Sequence, residues 1–590
     1  MRFISPLFLI IALEVVGVGM LSMGLVPREL ALFLLGAFIF FVTFAPLKQA
    51  ALFAVFSIPL YTALPITESF DSMASWRIII LILFLRSLWW NSRILSFGSF
   101  SPALRRASRL RLFWSDLHLV YKVVGHHAKT ASESAKRQYP RIPIVGLGAL
   151  IGIFFVLGVV SLLVAPEPVF GIKKLLYFAN IFALFFVIQE AVKNKKDFLD
   201  ILKYAFAGSI LTLAIGYGQF IAILFTPLYN FWQWWAETVI PIFYGQNLAE
   251  LLSYSNTWFS YYENADPTLR IFSIFPDSHS FALFMILTLP LALTFFKLSG
   301  SDPRRGSDPS KLVFAAVVIL ILLAIIFSGT RGAWIGAVPV FAVTILLYLV
   351  RKEFFRENFP ATTRVLEKIA PPYFIRGGVA LPFRSPDLVA GRRRGGEVVK
   401  VCLFSFLIFA FLFPLSSPIL KFSQGRHGGK VSEATLERIS KSFNTTELSN
   451  KGRIEIWKST ISSIRSHPIL GVGIGNYPVV LKENFSVTKK GASAHSLYLD
   501  IISEMGIFAG IFLLLIFFEI LRKSIEIFTK SKDEIFIAFA GFFTISFLWT
   551  MAYSVVDVVL LNDKILLMFV TLVGLLYSIS NIREENREMK

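Results

Sequence analysis

The feature that most restricts this chain is a succession of apolar runs, each about as long as a bilayer is thick. A helix needs roughly 20 mostly apolar residues to cross the hydrocarbon core. Fourteen stretches qualify: 5–26, 29–46, 50–66, 76–92, 143–165, 171–192, 202–225, 271–297, 311–329, 332–350, 399–418, 497–521, 535–555 and 562–580. Only 16% of residues are charged, against about 25% in soluble proteins. The expected fold is therefore all-α: a polytopic helical membrane protein of 12–14 spans. The first run contains Glu14 and lacks a small-x-small cleavage pattern, so it reads as a retained span and not a signal peptide. Arg86, inside "IIILILFLRSLWW", must reach toward a nearby membrane surface or face a polar interior.

Charge orients the spans. Residues 93–142 carry ten Lys/Arg against two acids, and 351–398 carry ten against five. "EAVKNKKDF", "KLSGSDPRRGSDPSK" and "RKSIEIFTKSKDE" are basic too. With fourteen spans all five fall on one side, which is the cytoplasm by the positive-inside rule. Both termini share it. This distribution also accounts for the net charge of +20 without nucleic acid. Residues 101–142 read equally as a helix on the inner leaflet or as a solvated basic loop. The outer side receives 226–270, with its aromatic "LYNFWQWWAETVIPIFYGQ" suited to the headgroup level, and the large loop 419–496. Division falls at 142: N-terminal helices with the basic loop, then 143–590.

Within the outer loop, Ile454, Trp457, Ile461 and Ile464 recur at helical spacing. This short amphipathic helix ends at His467–Pro468, since a residue before proline avoids the helical conformation. Arg453 and Trp457 share a face with Thr460 and Ile464. "GVGIGNY" lacks the preceding strand of a dinucleotide loop; it reads as a turn held close to the membrane. His126, His127, His279 and His427 make no metal-ligand spacing, and the lone Cys402 excludes an intrachain disulfide. Asn444 and Asn484 head short glycosylation sequons.

Three polar residues stand at outer mouths of spans: Arg331 in "SGTRGAWIG", Arg453, and His495 in "AHSLYLDIISEMG". Each has a plain reading as a surface anchor. Imidazole, though, is an available base near neutral pH. Asp500 and Glu504 share a helix face, about 140–180° around from His495 at 100° per residue. They suit pairing with other helices, for instance with an arginine, better than orienting the histidine.

Taken in order, "SGTRGAWIG", "GRIEIWKSTISSIRSHPILGVGIGNYPVV" and "AHSLYLDIISEMG" resemble the successive signatures of the O-antigen ligase and polymerase superfamily of bacterial envelope glycosyltransferases. "RIFSIFPDSHSFALFMILTLPLAL", headed by Arg270, resembles its upstream segment, and the similarity covers roughly 265–515. It implies a multi-pass enzyme of the bacterial inner membrane, acting at the periplasmic face without metal or other cofactor. The implied donor is a glycan on undecaprenyl pyrophosphate. The acceptor is lipid A-core in a ligase, another lipid-linked repeat in a polymerase, and a protein hydroxyl in some relatives. By resemblance, His495 is the catalytic base and Arg331 and Arg453 bind the pyrophosphate; Arg270, Trp457, Asp500 and Glu504 are expected to support them. Two departures are visible: Ala509 stands where a small polar residue or glycine is expected, and "PDSHS" replaces an Asn-Pro-Asn-like turn. A transporter for lipid-linked sugars would instead place charges near mid-membrane. For a scaffold the residues offer no positive sign.

Overall fold

The computed structural model describes residues 5–67, 71–96, 146–253, 257–262, 265–299, 309–358, 386–425, 448–481 and 493–588. The stretch 101–142, His126, His127, His427 and both sequons lie outside them, as do parts of 351–398 and of 419–496. Among the described residues eighteen α-helices occur in order: α1 (Pro6–Ser22), α2 (Leu30–Phe44), α3 (Leu47–Phe56), α4 (Trp76–Ser96), α5 (Leu147–Ser161), α6 (Pro168–Ala191), α7 (Lys195–Phe225), α8 (Leu228–Trp234), α9 (Ile240–Tyr244), α10 (Gln246–Ser253), α11 (Ser278–Leu298), α12 (Pro309–Phe327), α13 (Arg331–Asn358), α14 (Pro386–Gly425), α15 (Leu448–Ser466), α16 (Leu497–Lys530), α17 (Glu534–Tyr553) and α18 (Asp563–Glu588). Two antiparallel hairpins, β1–β2 (Ala63–Leu64, Met73–Ala74) and β3–β4 (Phe259–Tyr262, Ala265–Leu269), interrupt them.

Every apolar run of the sequence is occupied by a helix. Among the described residues, ten helices are long and apolar enough to cross a membrane, and α1, α2 and α3 are shorter apolar helices. The most enclosed crossings are α11, α17 and α18, with 78%, 72% and 83% of their apolar windows covered, against 22% for α14. A helix that is apolar all round can be covered by neighbours or face lipid; the three enclosed ones form the centre.

Two spans differ from the sequence reading. At ten residues α3 rises about 15 Å, half the hydrocarbon thickness. Turns and the short strand β1 continue the chain. Lys48 pairs with Asp197 and Asp200 in the first turns of α7, while the Pro59 carbonyl accepts from Lys564 in the first turn of α18. Because α6 and α18 run side by side, with Tyr177 at Leu561 and Asn581 at Gln189, these two contacts lie toward opposite ends of the bundle. The helix expected from residue 271 begins only at Ser278. Pro276 has no N–H to give, and Asp277 caps the helix through Ser280 N–H at 2.6 Å. Residues 271–277 form a buried loop instead, where Gln219 accepts from the N–H of Phe272 and Ser273 and donates to the Ser273 carbonyl.

Two charged residues inside the apolar helices find polar partners. Arg86 is half-buried, and its guanidinium donates to the Val42 and Ala45 carbonyls, which the end of α2 leaves without helical partners. Glu14 is covered and accepts a 2.6 Å hydrogen bond from Ser57 Oγ.

Candidate functional site

The polar residues singled out in the sequence lie at one end of the bundle, around the first turns of α11, α13 and α16. His495 is placed there by a turn with a left-handed backbone, φ 47°. A non-glycine residue in that region is uncommon and needs support from its surroundings. Its neighbour Ala494 supplies that support. The Ala494 N–H donates to Asp500 Oδ1 at 3.1 Å, and its carbonyl accepts from Trp457 Nε1 at 2.9 Å. On the other side, the Leu497 N–H is shared between the carbonyls of Ser554 and Asp557. Thus α15, α16 and the α17–α18 connection each hold the turn.

One expectation is corrected here. Asp500 does orient the histidine, through the backbone of the preceding residue. A helical-wheel argument misses this because Ala494 lies before the helix begins. The expected pairing of Asp500 and Glu504 with another helix is made through a lysine: Lys174 of α6 stands 2.6 Å from Glu504 and 3.6 Å from Asp500.

The second cluster brings Arg270 and His279 to Asp557, a residue not singled out from the sequence. Asp557, buried between α17 and α18, accepts from His279 Nδ1 at 2.6 Å, from the Tyr553 hydroxyl at 3.2 Å and from Val558 N–H at 2.8 Å. Burial alone pushes this carboxyl up. The His279 imidazole bonded to it, then the Arg453 guanidinium and the His495 ring, outweigh it and hold the carboxyl at about 2. His279 Nε2 faces Arg270 Nη2 at 3.4 Å. Arg270 in turn donates to the carbonyls of Ser328 and Gly329 at 3.0 and 2.9 Å. It is delivered by the β3–β4 hairpin, where Phe259 pairs with Leu269 and the Arg270 N–H bonds the Trp258 carbonyl.

The Gly329 turn, φ 64°, leads directly into Arg331, the first residue of α13. Gly332 lies flat against the Tyr553 ring, where a Cβ would come within 2.7 Å. Tyr553 therefore joins the Arg331 turn to Asp557. Arg453, half-buried in α15, is close enough for its charge to act on both Asp557 and His495. For His495, burial lowers the imidazole below its usual value. Asp557 and Asp500 oppose this, while Arg453 and His279 reinforce it. The ring is neutral at neutral pH and able to accept a proton.

The α15 helix follows the amphipathic pattern with one exception: Ile461 is exposed, and the fully buried position is Thr460, hydrogen-bonded to Tyr477 at 2.7 Å. The glycine-rich turn after it approaches other helices. A Cβ on Gly471 would lie 2.4 Å from the Glu504 backbone, and one on Gly473 would lie 2.5 Å from Ala165. The α16 helix breaks at Gly506, φ 83° and ψ 173°, which lets Ile507 N–H bond the Pro468 carbonyl at 2.9 Å.

The arrangement offers a neutral imidazole, a buried ionised carboxylate and several guanidinium groups at one mouth of an apolar bundle. Such a set can take a proton from a hydroxyl and stabilise an anionic leaving group. The signals for the missed residues are present in retrospect. Asp557 is a lone acid in "SVVDVVLL", and Lys174 is a lysine within an apolar run; ionisable residues in such places are costly and call for a partner.

Comparison with known proteins bears on this region. Residues 316–514 match the family model described as O-antigen ligase. That stretch includes Arg331, Arg453, Trp457, His495, Asp500 and Glu504; Arg270, His279, Tyr553 and Asp557 lie outside it. No curated protein matches the chain.

Proposed function

The chain belongs, through residues 316–514, to the O-antigen ligase superfamily, and on that premise we propose that it is a membrane glycosyltransferase. It moves a glycan from undecaprenyl pyrophosphate to an acceptor hydroxyl, as an O-antigen ligase with lipid A-core as acceptor. The observation that carries this reading is that the His495 turn is tied both to Asp557 and to α15, the helix of Arg453, at one end of an apolar bundle. The Lys/Arg bias of the loops supports a periplasmic site in the inner membrane.

In the proposed reaction the acceptor oxygen attacks the anomeric carbon. His495 takes the hydroxyl proton as the new C–O bond forms. The bond from that carbon to the pyrophosphate oxygen breaks, and the leaving group gathers negative charge. Arg331 and Arg453 bind that charge through charge-assisted hydrogen bonds. Asp557 stabilises the imidazolium that results, as a buried carboxylate beside a histidine does.

The test is transfer by purified protein in detergent, with no vesicle present. Product from lipid-linked donor and lipid A-core supports the ligase reading. Product only with a second lipid-linked repeat indicates a polymerase, and only with a protein hydroxyl an oligosaccharyltransferase of the same superfamily. No product with any of these acceptors, combined with donor movement across a bilayer, indicates a transporter.

A further inference from the structure

We propose that His279 is a positioning residue of the transfer site: by donating from Nδ1 to Asp557 it keeps that carboxylate ionised and fixed beside the turn that carries His495. This rests on the transferase reading above.

Geometry fixes the tautomer. Arg270 has only donors to offer, and its Nη2 lies 3.4 Å from His279 Nε2. Nε2 is therefore the acceptor, and Nδ1, 2.6 Å from Asp557, carries the hydrogen. Asp277, two residues earlier, is occupied with the Ser280 N–H and hydroxyl, so it does not compete for this imidazole. His279 is thus held between a guanidinium and a carboxylate, with Nδ1 toward the carboxylate.

The consequence reaches His495 by two routes. The Asp557 carbonyl accepts from Leu497 N–H, which ties its backbone to the turn that carries the base. Its charge also acts on His495. The ionisable groups facing His495 are Asp557 from the α17–α18 connection, Arg453 from α15, His279 from α11 and Asp500 from α16. Only the two carboxylates favour its protonation. Without the His279 donor, Asp557 is a buried carboxyl with one fewer partner, and burial drives it toward the neutral form. His495 then loses part of the negative field that makes it basic.

Glutamine places its amide near the position of Nε2 and asparagine near that of Nδ1, which separates the two ring nitrogens. The experiment compares wild type, His279→Gln and His279→Asn in the detergent transfer assay across pH. His279→Gln is expected to lower kcat about ten- to a hundredfold, the usual consequence of removing a hydrogen bond to a charged group. Its KM for donor should be unchanged, and the acidic limb of its pH profile should move to lower pH. His279→Asn is expected to recover most of the rate and the wild-type limb. Movement of the limb to higher pH in His279→Gln would make His279 a cation beside His495 and overturn the proposal. Equal losses in both variants with no movement, or a wild-type rate in His279→Gln, would overturn it too. Absence of transfer by the wild type itself would overturn the transferase reading, and the inference with it.

Discussion

The indole of Trp457 donates a 2.9 Å hydrogen bond to the carbonyl of Ala494, the residue that precedes His495. It ties α15 to the histidine turn, and Asp500 holds the same residue from the other side. Trp457→Phe keeps the ring and removes the donor. Loss of one such bond is worth about 1 kcal/mol, so turnover should drop several-fold with donor KM little changed. Steady-state kinetics on monodisperse protein checks this; unaltered kcat would mean the bond does not position the base.

Lys174 sits against two buried carboxylates. Replacing it with methionine leaves both without their cation. Breaking a buried pair from one side typically costs about 3–5 kcal/mol, so Lys174→Met should melt well below wild type in detergent. Adding Glu504→Gln and Asp500→Asn should recover much of the loss, because neutral amides need no counter-charge. A wild-type melting temperature for Lys174→Met alone would show that the cluster is not a structural ion pair.

Gly506 adopts a backbone conformation open essentially to glycine alone, and a Cβ there would meet the Ile469 carbonyl oxygen at 1.9 Å. Gly506→Ala should therefore detach the glycine-rich turn from α16 and reduce the yield of folded protein. Its neighbour in sequence, Ala509, needs no such freedom, and Ala509→Gly should fold with only a modest loss. Comparable yield and melting of Gly506→Ala and wild type would contradict the reading.

Arg331 and Arg453 are proposed to hold the pyrophosphate. Removing one donor to developing charge typically costs about 10²–10³ in rate, and that is the expectation for each alanine variant. Lysine should restore only part, since it lacks the planar fork. Single-turnover transfer with saturating donor measures it. Wild-type rates in both alanine variants would remove the arginines from the reaction.

Apolar run length was enough to locate the helices, because a bilayer allows few other solutions and ten of them meet the criteria of a span. It failed where local chemistry overrode hydropathy. Residues 271–277 are apolar enough for a helix, yet Pro276 and the Asp277 cap delay its start. For the site, spacing within one element was informative and contact between elements was not. Arg453, Trp457 and Thr460 do share a face of α15. The pairing of Lys174 with Glu504 joins residues 330 apart in sequence, and that of His279 with Asp557 joins residues 278 apart. No periodicity reports such pairs. Only the cost of burying each charge alone hints that a partner exists.

The central claim is that His495 takes the proton of the acceptor hydroxyl. The most direct measurement is the transfer rate of His495→Gln beside wild type, across pH, in detergent with defined donor and acceptor. Glutamine preserves much of the shape and polarity but cannot act as a base. General-base catalysis is worth typically about 10²–10⁴-fold, and the variant should lose that much while still binding donor. Wild-type activity should be level at neutral pH and fall only as pH drops through the lowered imidazole value, since burial keeps the ring neutral there. Near-normal turnover by His495→Gln at wild-type expression, with an unchanged pH profile, would contradict the account and leave His495 as a surface anchor.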